Sequence, residues 1–457
     1  MLRSCFGLLA LASIVLGTEV CWPPYGCFND NYPFDNNWVQ LPQSPQYINT
    51  KFMLYTRKEK YNPDILSDLD ANTISVSNFD GRKKTIIMCH GYLEYGQMFY
   101  HRALIDELLR KEDMNVIIVD WGQGALPYHF AFGNVRLIGM QITKLVELMN
   151  SQFGLSFANV HLIGFSIGAQ LVGHAGKYLR QNNHTVGRIS GLDAASPYYE
   201  FRPPVVRLDA TDAEFVDAMH TDTKTIYVKG FGIEQRSGQV DTYPNGGYEQ
   251  PNCRTLDNGA ADFFTCSHYR AVHYFTESIN SNCPFEAYPC KSYDDFKKGK
   301  CTSCPSGGCP KMGYQAENKG NRFDGKYFLL TRGQKPFCSY HYKITFHTGT
   351  GLFSDLSGDS VKVIITGDNA TTEEIKLPQR DLDPGSIESF VGITRHDIGN
   401  PLRIKVVHTG LVEQWKLEKV VIRKFGTEKD FEACFNRWLN TQANEVSLHE
   451  VKGTGKC

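Results

Sequence analysis

The sequence carries almost no net charge. Its 48 basic residues are matched by 49 acidic ones, and the formal net charge is −1. Proteins that bind nucleic acid attract the phosphate backbone through an excess of positive charge. This chain has no such excess, so a nucleic-acid partner is excluded. The sequence also has no internal repeats and no low-complexity tract, which excludes a repeat architecture.

Long apolar runs are missing as well, apart from one near the amino terminus. That run extends from Cys5 to Leu16 and is shorter than the roughly 20 residues that span a bilayer. Gly17 follows it, with Val15 two positions earlier, as a signal-peptide cleavage site prefers. The sequence therefore predicts a signal peptide at residues 1–17 and a secreted, extracellular protein without a transmembrane segment.

Cysteine, by contrast, is abundant. The chain has 14 cysteines, of which Cys5 would leave with the signal peptide. An odd number remains, so at least one cannot pair within the chain. Because a secreted protein folds in an oxidising compartment, most of the others are expected to form disulfides.

The first part of the chain alternates buried strands with helical segments. This pattern is typical of a parallel sheet that helices cover on both faces. The predicted strands are Thr85–Cys89, Asn115–Asp120 and Asn159–Ile163, and the predicted helices include Tyr100–Lys111 and Asn134–Phe153.

The last part of the chain is rich in short β-like runs separated by Gly, Asp and Asn turns. It begins after Cys338 and is preceded by the cysteine-dense, Gly- and Pro-rich stretch Cys283–Cys309. The runs are Tyr342–His347, Ser360–Ile365, Leu402–His408 and Trp415–Arg423. We therefore predict two domains, of which the second is a β-sandwich.

One serine lies in the setting that an activated nucleophile requires. The sequence Gly164-Phe165-Ser166-Ile167-Gly168 follows a predicted strand and precedes a helix-compatible run. A turn this tight leaves no room for side chains at the two glycines, and it lifts the serine hydroxyl above the carboxyl edge of the sheet. The pattern predicts Ser166 as a nucleophile; the alternative is a structural turn.

A nucleophilic serine needs a histidine base and an acid that orients the histidine. The run Ile189–Asp193 is predicted as the next buried strand, so Asp193 is the expected acid, with a strand-end cap as its alternative role. Two histidines follow within reach, His220 and His268. We favour His268 because a disulfide at Cys266 would anchor the loop that carries it, whereas His220 lies inside an apparent strand.

The attacked carbonyl oxygen becomes negatively charged and must be stabilised by fixed N–H groups. One is expected from Ile167, next to the nucleophile. The other is expected from Tyr92, because His90-Gly91-Tyr92 follows the strand Thr85–Cys89. These donors complete the requirements of acyl transfer from an ester.

Five stretches of the sequence resemble the secreted pancreatic lipase family, in the order in which that family has them. The stretches are Gly164–Gly168, Gly187–Asp193, Phe215–Asp217, Pro244–Gly247 and Cys304–Cys309. The resemblance covers the chain from Glu19 to Cys457. It implies an α/β-hydrolase lipase domain at residues 18–335 and a PLAT β-sandwich domain at residues 338–457. It also assigns the catalytic triad to Ser166, Asp193 and His268.

The resemblance further implies a structural calcium site as the cofactor site. The calcium loop of the family falls on residues 203–212, where Asp209 and Asp212 offer side-chain oxygens and Pro204 and Arg207 offer main-chain carbonyls. The family often has an acid at the position of Pro204, but a carbonyl ligand survives that change. The alternative is a solvated acidic turn.

Disulfides are implied by the same resemblance, and each closes a short loop. They are Cys21–Cys27, Cys253–Cys266, Cys290–Cys301, Cys304–Cys309 and Cys434–Cys457. Cys89 lies in a buried strand and is expected to stay a free thiol. A Cys283–Cys338 bridge between the domains is left open.

Two sequons, Asn183-His184-Thr185 and Asn369-Ala370-Thr371, lie in polar, turn-like stretches. In an exported chain both asparagines are candidates for glycosylation.

In the family, the loop between Cys253 and Cys266 is the lid over the active site. Here the lid is Arg254–Thr265, which is 12 residues. Triacylglycerol lipases of the family carry longer lids with an amphipathic helix, whereas phospholipase A1 members carry loops of about this size. The stretches Cys283–Cys304 and Pro336–Tyr342 also look most like the phosphatidic-acid-selective phospholipase A1 branch.

One loop indicates the opposite specificity. Thr223–Val240 is long and contains Gly230–Ile233, as in pancreatic-type lipases, where this loop forms one wall of the acyl groove. We therefore predict hydrolysis of glycerolipid esters at a membrane or micelle surface, with phospholipase A1 favoured and a triacylglycerol or galactolipid lipase as the alternative. Some relatives of this fold have lost the serine and carry lipid or yolk, but Ser166 argues against that role. We recognise no colipase site in the C-terminal domain.

Overall fold

The computed structural model describes residues 18–35, 40–224, 230–253, 260–350, 360–377, 383–409, 414–440 and 444–451. The predicted signal peptide lies outside these residues. The first strands and helices are β1 (Glu19–Cys21), β2 (Cys27–Asn29), α1 (Pro45–Ile48), β3 (Lys51–Tyr55), β4 (Asp64–Leu66), α2 (Ala71–Ser75), β5 (Thr85–Cys89), α3 (Phe99–Lys111), β6 (Asn115–Asp120), α4 (Tyr128–Phe153), β7 (Val160–Phe165), α5 (Ile167–Gln181), β8 (Arg188–Leu192), β9 (Val216–Met219) and β10 (Val240–Pro244).

The remaining elements are α6 (Ala260–Asn280), β11 (Tyr288–Pro289), α7 (Tyr293–Lys297), β12 (Gly325–Leu329), β13 (Tyr340–Thr348), β14 (Ser360–Gly367), β15 (Ile375–Lys376), β16 (Ile387–Thr394), β17 (Pro401–Thr409), β18 (Gln414–Lys424), β19 (Asp430–Asn440), β20 (Asn444–Ser447) and β21 (His449–Glu450). Short 3₁₀ turns include Gly122–Gly124 and Ala210–Asp212. Among the helices that the structure describes, none combines the length and the apolar character that a membrane span needs.

A ten-stranded mixed sheet forms the centre of the first part of the chain. Its strand order is β11-β12-β10-β9-β8-β7-β5-β6-β3-β4, and the strands from β12 to β6 in that order pair in parallel. Ile87 and Cys89 of β5 face the core under α4 and α5, whereas Ile86 and Met88 face the core under α3 and α6. A parallel sheet buried on both faces confirms the predicted α/β architecture.

The register of neighbouring strands aligns their carboxyl ends. Cys89 is opposite Gly164, and Leu192 is opposite both Phe165 and Met219 on its two sides. The residues that follow these strands therefore emerge at one edge of the sheet. They are His90 after β5, Ser166 after β7, Asp193 after β8 and His220 after β9.

The helix α4 begins at Tyr128, six residues before the predicted start at Asn134. α4 runs through Gly133, where a Cβ would lie 2.1 Å from the carbonyl oxygen of Gln40, so the glycine serves a close contact and does not break the helix. α6 extends from Ala260 to Asn280, and no glycine or proline interrupts it. His268 is therefore carried by a helix. The expectation that a loop carries it was wrong.

Residues 340–450 form two antiparallel sheets that face each other. Their strand orders are β16-β13-β18-β19-β21 and β15-β14-β17-β20. Alternate residues of the facing strands fill the space between the sheets, for example Ile344 of β13 and Val363 of β14. The structure confirms the predicted β-sandwich, and it adds the long strands β16 and β19, which were not predicted from the sequence.

Disulfides close several of these segments. In the described chain the structure pairs Cys21–Cys27, Cys253–Cys266, Cys283–Cys338, Cys290–Cys301 and Cys304–Cys309. The Cys283–Cys338 bond joins the segment after α6 to the start of the sandwich. Cys89 is a buried free thiol. Cys457, the expected partner of Cys434, lies outside the described residues.

Both sequon asparagines are exposed, Asn183 just after α5 and Asn369 between β14 and β15. Exposure is what an attached glycan requires, and glycosylation of the two remains a prediction.

Candidate active site

Ser166 lies at the tip of the turn between β7 and α5. Its backbone angles are φ 57° and ψ −125°, a sparsely populated combination that costs free energy unless neighbours hold it. Ser166 N–H donates to the Leu192 carbonyl at 3.0 Å, and the Ser166 carbonyl accepts from Ala195 N–H at 3.1 Å. The strained turn is therefore fixed to the end of β8.

Both glycines of the Gly-x-Ser-x-Gly pattern are required by contacts with backbone. A Cβ on Gly164 would lie 2.2 Å from the carbonyl oxygen of Gly168. A Cβ on Gly168 would lie 2.5 Å from the carbonyl oxygens of Cys89 and His90. A side chain at Gly164 would collide with the first turn of α5, and one at Gly168 would push α5 away from the end of β5, so either would displace the serine.

His268 and Asp193 form a buried pair beside the serine. His268 Nδ1 lies 2.5 Å from Asp193 Oδ2. The other oxygen of Asp193 accepts the N–H groups of Thr221 at 2.7 Å and of Asp222 at 3.1 Å, which fixes the carboxylate. His268 lines the same cavity as Ser166. Because Nδ1 faces the carboxylate, Nε2 is the nitrogen that remains to accept a proton.

The surroundings of His268 favour its protonated form. Burial alone would lower the pKa of His268, but the hydrogen bond and the negative charge of Asp193 outweigh burial, and Asp222 and Glu94 add to the effect. The pKa is raised above its ordinary value of 6.5. The imidazole is thus a stronger base than a free histidine.

His220, the other candidate base, is held by different partners. Its Nε2 lies 2.9 Å from Asp241 Oδ1 and its Nδ1 lies 2.8 Å from the Ile233 carbonyl oxygen. The ring is buried and stacks on Tyr243 at 4.3 Å. Both ring nitrogens therefore serve the packing of the sheet edge.

The predicted oxyanion donors lie next to the nucleophile. A Cβ on Gly91 would lie only 3.0 Å from Ser166 Cβ, so the loop after β5 runs directly along the serine. Tyr92, the next residue, lines the same cavity. Ile167 is the first residue of α5, and N–H groups in a first helical turn have no partner within the helix.

Two buried carboxylates at this site, Glu94 and Asp222, were not predicted from the sequence. Ligand atoms of Asp222, Asp193 and His268 lie within 4.8 Å of one another. Burial and the charge of Asp193 raise the pKa of Asp222 above its usual range. A signal for Asp222 was present, because it follows β9 at the same sheet edge as the triad acid. Glu94 lies two residues after Tyr92 in the oxyanion loop.

A cavity of about 270 Å³ opens beside Ser166 and His268. Its other lining residues are mostly apolar or aromatic: Tyr92, Leu93, Glu94, Tyr128, Phe165, Ala195, Pro197, Phe231, Thr265 and Tyr269. Phe231 comes from the loop Thr223–Val240, so that loop forms part of the wall. The described lining contains no lysine or arginine. The cavity suits an apolar chain attached to a reacting ester.

The loop with the expected calcium ligands contacts the ammonium group of a lysine side chain. Lys177 Nζ donates to the Arg207 carbonyl and to Asp212 Oδ2, at 2.6 Å each. Asp212 Oδ2 also accepts Asp209 N–H at 2.9 Å, and Pro204 is exposed. The carbonyl and the carboxylate that the resemblance names as ligands therefore converge on one position.

This donor set can be tested against the needs of calcium. Asp212 is buried, and burial raises its pKa to about 6 although Lys177 acts in the opposite direction. Two carboxylates combined with main-chain carbonyls are the ligands that a hard divalent cation prefers. The residues fit calcium, which would share the loop with Lys177 or displace its ammonium.

Comparisons with known proteins place these features in context. A family model described as Lipase matches residues 18–337. Pancreatic triacylglycerol lipase of Homo sapiens is 35% identical over 455 residues, which cover 94% of this chain and 95% of that protein. Pancreatic lipase-related protein 2 of Myocastor coypus is 37% identical over 398 residues, 83% of each chain.

A third relative is described as inactive. Inactive pancreatic lipase-related protein 1 of Homo sapiens is 34% identical over 445 residues, 92% of this chain and 93% of its own. Among solved structures, coral 8R-lipoxygenase matches 24% of this chain. The match covers 17% of the lipoxygenase chain, with 19% sequence identity and a TM-score of 0.22. A TM-score this low supports no inference about this chain.

Proposed function

This chain belongs to the lipase family, whose pancreatic members it resembles over nearly its whole length, and on that basis we propose that it is a secreted enzyme that hydrolyses carboxylic esters of glycerolipids. The observation that carries the proposal is the buried Asp193–His268 pair beside the strained Ser166, at the wall of one apolar cavity. Catalysis is assigned to residues 18–335, and residues 338–457 are assigned to a separate β-sandwich domain.

The mechanism is acyl transfer through a covalent intermediate. Ser166 Oγ attacks the ester carbonyl carbon while His268 Nε2 accepts the serine proton and Asp193 stabilises the imidazolium. The N–H groups of Ile167 and Tyr92 stabilise the oxyanion. His268 returns the proton to the departing alcohol, which leaves an acyl-serine. A water molecule that His268 deprotonates then attacks the acyl-serine. His268 returns that proton to the Ser166 oxygen, which releases the fatty acid and restores the serine.

The surface around the cavity supports a lipid as the source of the ester. Leu93 and Phe99 are 63% and 64% exposed. Leu93 lines the cavity, and the ring of Phe99 lies 5.7 Å from the ring of Tyr269, which also lines it. Large apolar side chains that stand together at the mouth of a site mark a surface that contacts lipid or another apolar partner. A membrane or micelle surface is the partner that also delivers the substrate.

The length of the lid supports phospholipase A1 as the specific activity. Cys253 and Cys266 are bonded, and 12 residues lie between them. Arg254–Gly259 lies outside the described residues, and the rest of the predicted lid belongs to α6. A lid this short resembles that of the phospholipase A1 members of the family.

Triacylglycerol hydrolysis is the second candidate, and other observations favour it. The relatives named above include a triacylglycerol lipase that matches 94% of this chain. Phe231 of the long loop lines the cavity, as expected for pancreatic-type lipases, and the described lining offers no cation to a phosphate group. An uncharged galactolipid likewise needs no cation in the lining.

A side-by-side assay separates these candidates. The purified protein is incubated with phosphatidylcholine, phosphatidic acid, galactolipid and triolein, and the released fatty acids are identified. Phospholipase A1 activity predicts release of the sn-1 fatty acid from phospholipid faster than release from triolein; the reverse order supports the second candidate. If no lipid is hydrolysed and Ser166→Ala is indistinguishable from the wild type, the proposed enzymatic activity is refuted. A lipid-carrier role would then be favoured.

We further propose that calcium stabilises the loop of Asp209 and Asp212, with carbonyls of Pro204 and Arg207 as additional ligands. Calcium supplies no chemistry to the reaction in this proposal, because these residues begin 11 positions after Asp193 and do not line the cavity. Glycans at the exposed Asn183 and Asn369 are proposed as well. The dependence on a protein cofactor such as colipase is not assigned.

A further inference from the structure

Glu94 lies in the wall of the catalytic cavity and is only 3% exposed. Its Oε2 accepts the Gly91 N–H at 2.6 Å and the Tyr100 hydroxyl at 2.7 Å. Its Oε1 accepts the Tyr269 hydroxyl at 2.7 Å. A buried carboxylate is costly unless it is hydrogen-bonded, and short bonds to an ionised acceptor are the strong ones. Three such bonds hold Glu94 in one position.

The three donors come from separate parts of the active site. Gly91 belongs to the loop after β5, which also carries the Tyr92 N–H. Tyr269 follows His268 on α6, and Tyr100 lies in the first turn of α3. A single carboxylate therefore joins the oxyanion loop to the helix that carries the base.

The aromatic rings around Glu94 extend this connection to the nucleophile. Phe165, which precedes Ser166, packs against Tyr100 at 5.9 Å, against Tyr269 at 5.2 Å and against His268 at 4.6 Å between ring centroids. A shift of either tyrosine is thus transmitted to the ring next to the serine.

We propose that Glu94 is a positioning residue, whose carboxylate fixes the oxyanion N–H of Tyr92 relative to Ser166 and His268. This inference rests on the proposed ester hydrolysis. An oxyanion donor acts only when it points at the place where charge develops, and a displacement of about 1 Å can cost about 100-fold in rate. Without Glu94, the Gly91 N–H would lose its acceptor and the loop would be free to shift.

The charge of Glu94 has a separate effect on the base. Among the described residues, the charged groups that raise the pKa of His268 are Asp193, Asp222 and Glu94, and all three are acidic. Each of them stabilises the imidazolium that forms when His268 takes the serine proton. Loss of the charge at Glu94 should therefore move the acid limb of the rate profile to lower pH.

Four variants separate these effects. Glu94→Gln keeps the shape and removes the charge. Glu94→Ala removes the acceptor altogether. Tyr269→Phe keeps the charge and breaks the link to α6. The matched control is Tyr288→Phe, which removes a hydroxyl bonded to Glu286 at 3.0 Å, at a place that does not line the cavity.

The experiment measures kcat and KM for a short-chain ester from pH 5 to 9, with melting temperatures as a check on folding. We expect kcat to fall about 100-fold in Glu94→Ala and about 10-fold in Glu94→Gln and Tyr269→Phe, with KM within about 2-fold. The acid limb of the rate profile should move to lower pH in Glu94→Gln, which loses the charge. It should stay in place in Tyr269→Phe and Tyr288→Phe, which keep the charge. Tyr288→Phe should match the wild type in kcat and in its pH profile.

Two outcomes would contradict the inference. If the wild type hydrolyses the ester, Ser166→Ala does not, and both Glu94→Gln and Tyr269→Phe keep the wild-type kcat and acid limb, Glu94 does not position the site, whereas the proposed function stands. If the wild type shows no hydrolysis beyond Ser166→Ala, the proposed function fails and the inference fails with it.

Discussion

Asp193 and His268 are 75 positions apart in the chain, yet Asp193 Oδ2 lies 2.5 Å from His268 Nδ1. Asp193 has a positive φ of 45°, which turns its side chain out of the strand direction at the end of β8. A Cβ on Gly232 would lie 2.3 Å from Asp193 Oδ1, so the chain passes directly over the carboxylate. Three elements therefore fix the pair: β8 carries Asp193, the loop at Gly232 covers its carboxylate, and α6 carries His268.

Replacement of the acid tests this pair. Asp193→Asn should lower kcat about 10⁴-fold, because an amide neither holds the required tautomer of His268 nor stabilises its protonated form. The matched control is Asp241→Asn, which alters a second buried histidine–aspartate pair, in which Asp241 Oδ1 lies 2.9 Å from His220 Nε2. The control should lower the melting temperature and leave kcat within a few-fold. The opposite pattern would assign the base to His220.

The pH dependence of kcat/KM reports the state of His268 in the free enzyme. The neutral imidazole is the active form, and its pKa is raised above 6.5, so activity should fall as the pH drops through that raised value. Because the charge of Asp222 contributes to the shift, Asp222→Asn should move the acid limb to lower pH. An acid limb below 6.5 in the wild type, or an upward shift in the variant, would contradict this account.

The sequence predicts the strands in the middle of the central sheet, β5 to β8, because they are continuous apolar runs between polar turns, whereas β3, β4, β10, β11 and β12 were not predicted. Thr85–Cys89 and Asn115–Asp120 have the predicted bounds. β19 was missed although Phe431, Ala433 and Phe435 alternate in burial, because charged and polar residues lie between them. Alternation with a polar outer face is a weaker signal than an unbroken apolar run.

The active site was predictable where a short motif carries it. The pattern around Ser166 places the nucleophile without reference to any distant residue. The hydrogen bond between Tyr269 and Glu94 joins residues 175 positions apart, and the contact of Lys177 with Arg207 depends on how α5 packs against a loop. Such contacts form only when the chain folds, so no local sequence pattern predicts them.

Removal of calcium should destabilise the protein before it slows the reaction. A ligand that is present at 100 times its dissociation constant contributes about 2.7 kcal/mol to stability. Chelation should therefore lower the melting temperature by about 5 °C or more, with the initial rate unchanged at low temperature. Immediate and reversible loss of activity with an unchanged melting temperature would indicate a catalytic metal.

A lysine variant makes the calcium prediction sharper. Lys177→Met removes the ammonium that lies 2.6 Å from Asp212 and from the Arg207 carbonyl. The buried carboxylate then has to be neutralised by the metal, so the melting temperature of this variant should depend on calcium more steeply than that of the wild type. Equal calcium dependence of the two proteins would show that the ammonium and the metal do not share the loop.

The short lid predicts a site that is open in water. A loop of 12 residues with bonded ends can reach outward over about six residues, or roughly 20 Å at about 3.3 Å per residue. A site without a closed state has no lid to open at a lipid–water interface, so contact with the interface should raise its rate only slightly. The rate on a short-chain phospholipid should rise smoothly through the critical micelle concentration. A steep jump there, with negligible rate below it, would show that the lid closes the site.

The central claim is that Ser166 is the nucleophile, and covalent labelling tests it most directly. The protein is treated with a serine-directed organophosphate, and the modified residue is identified by peptide mass spectrometry alongside the remaining esterase activity. We predict one label per chain, on Ser166, in proportion to the activity lost, and no label in Ser166→Ala. A label on any other serine, or full inhibition without a label on Ser166, would contradict the account.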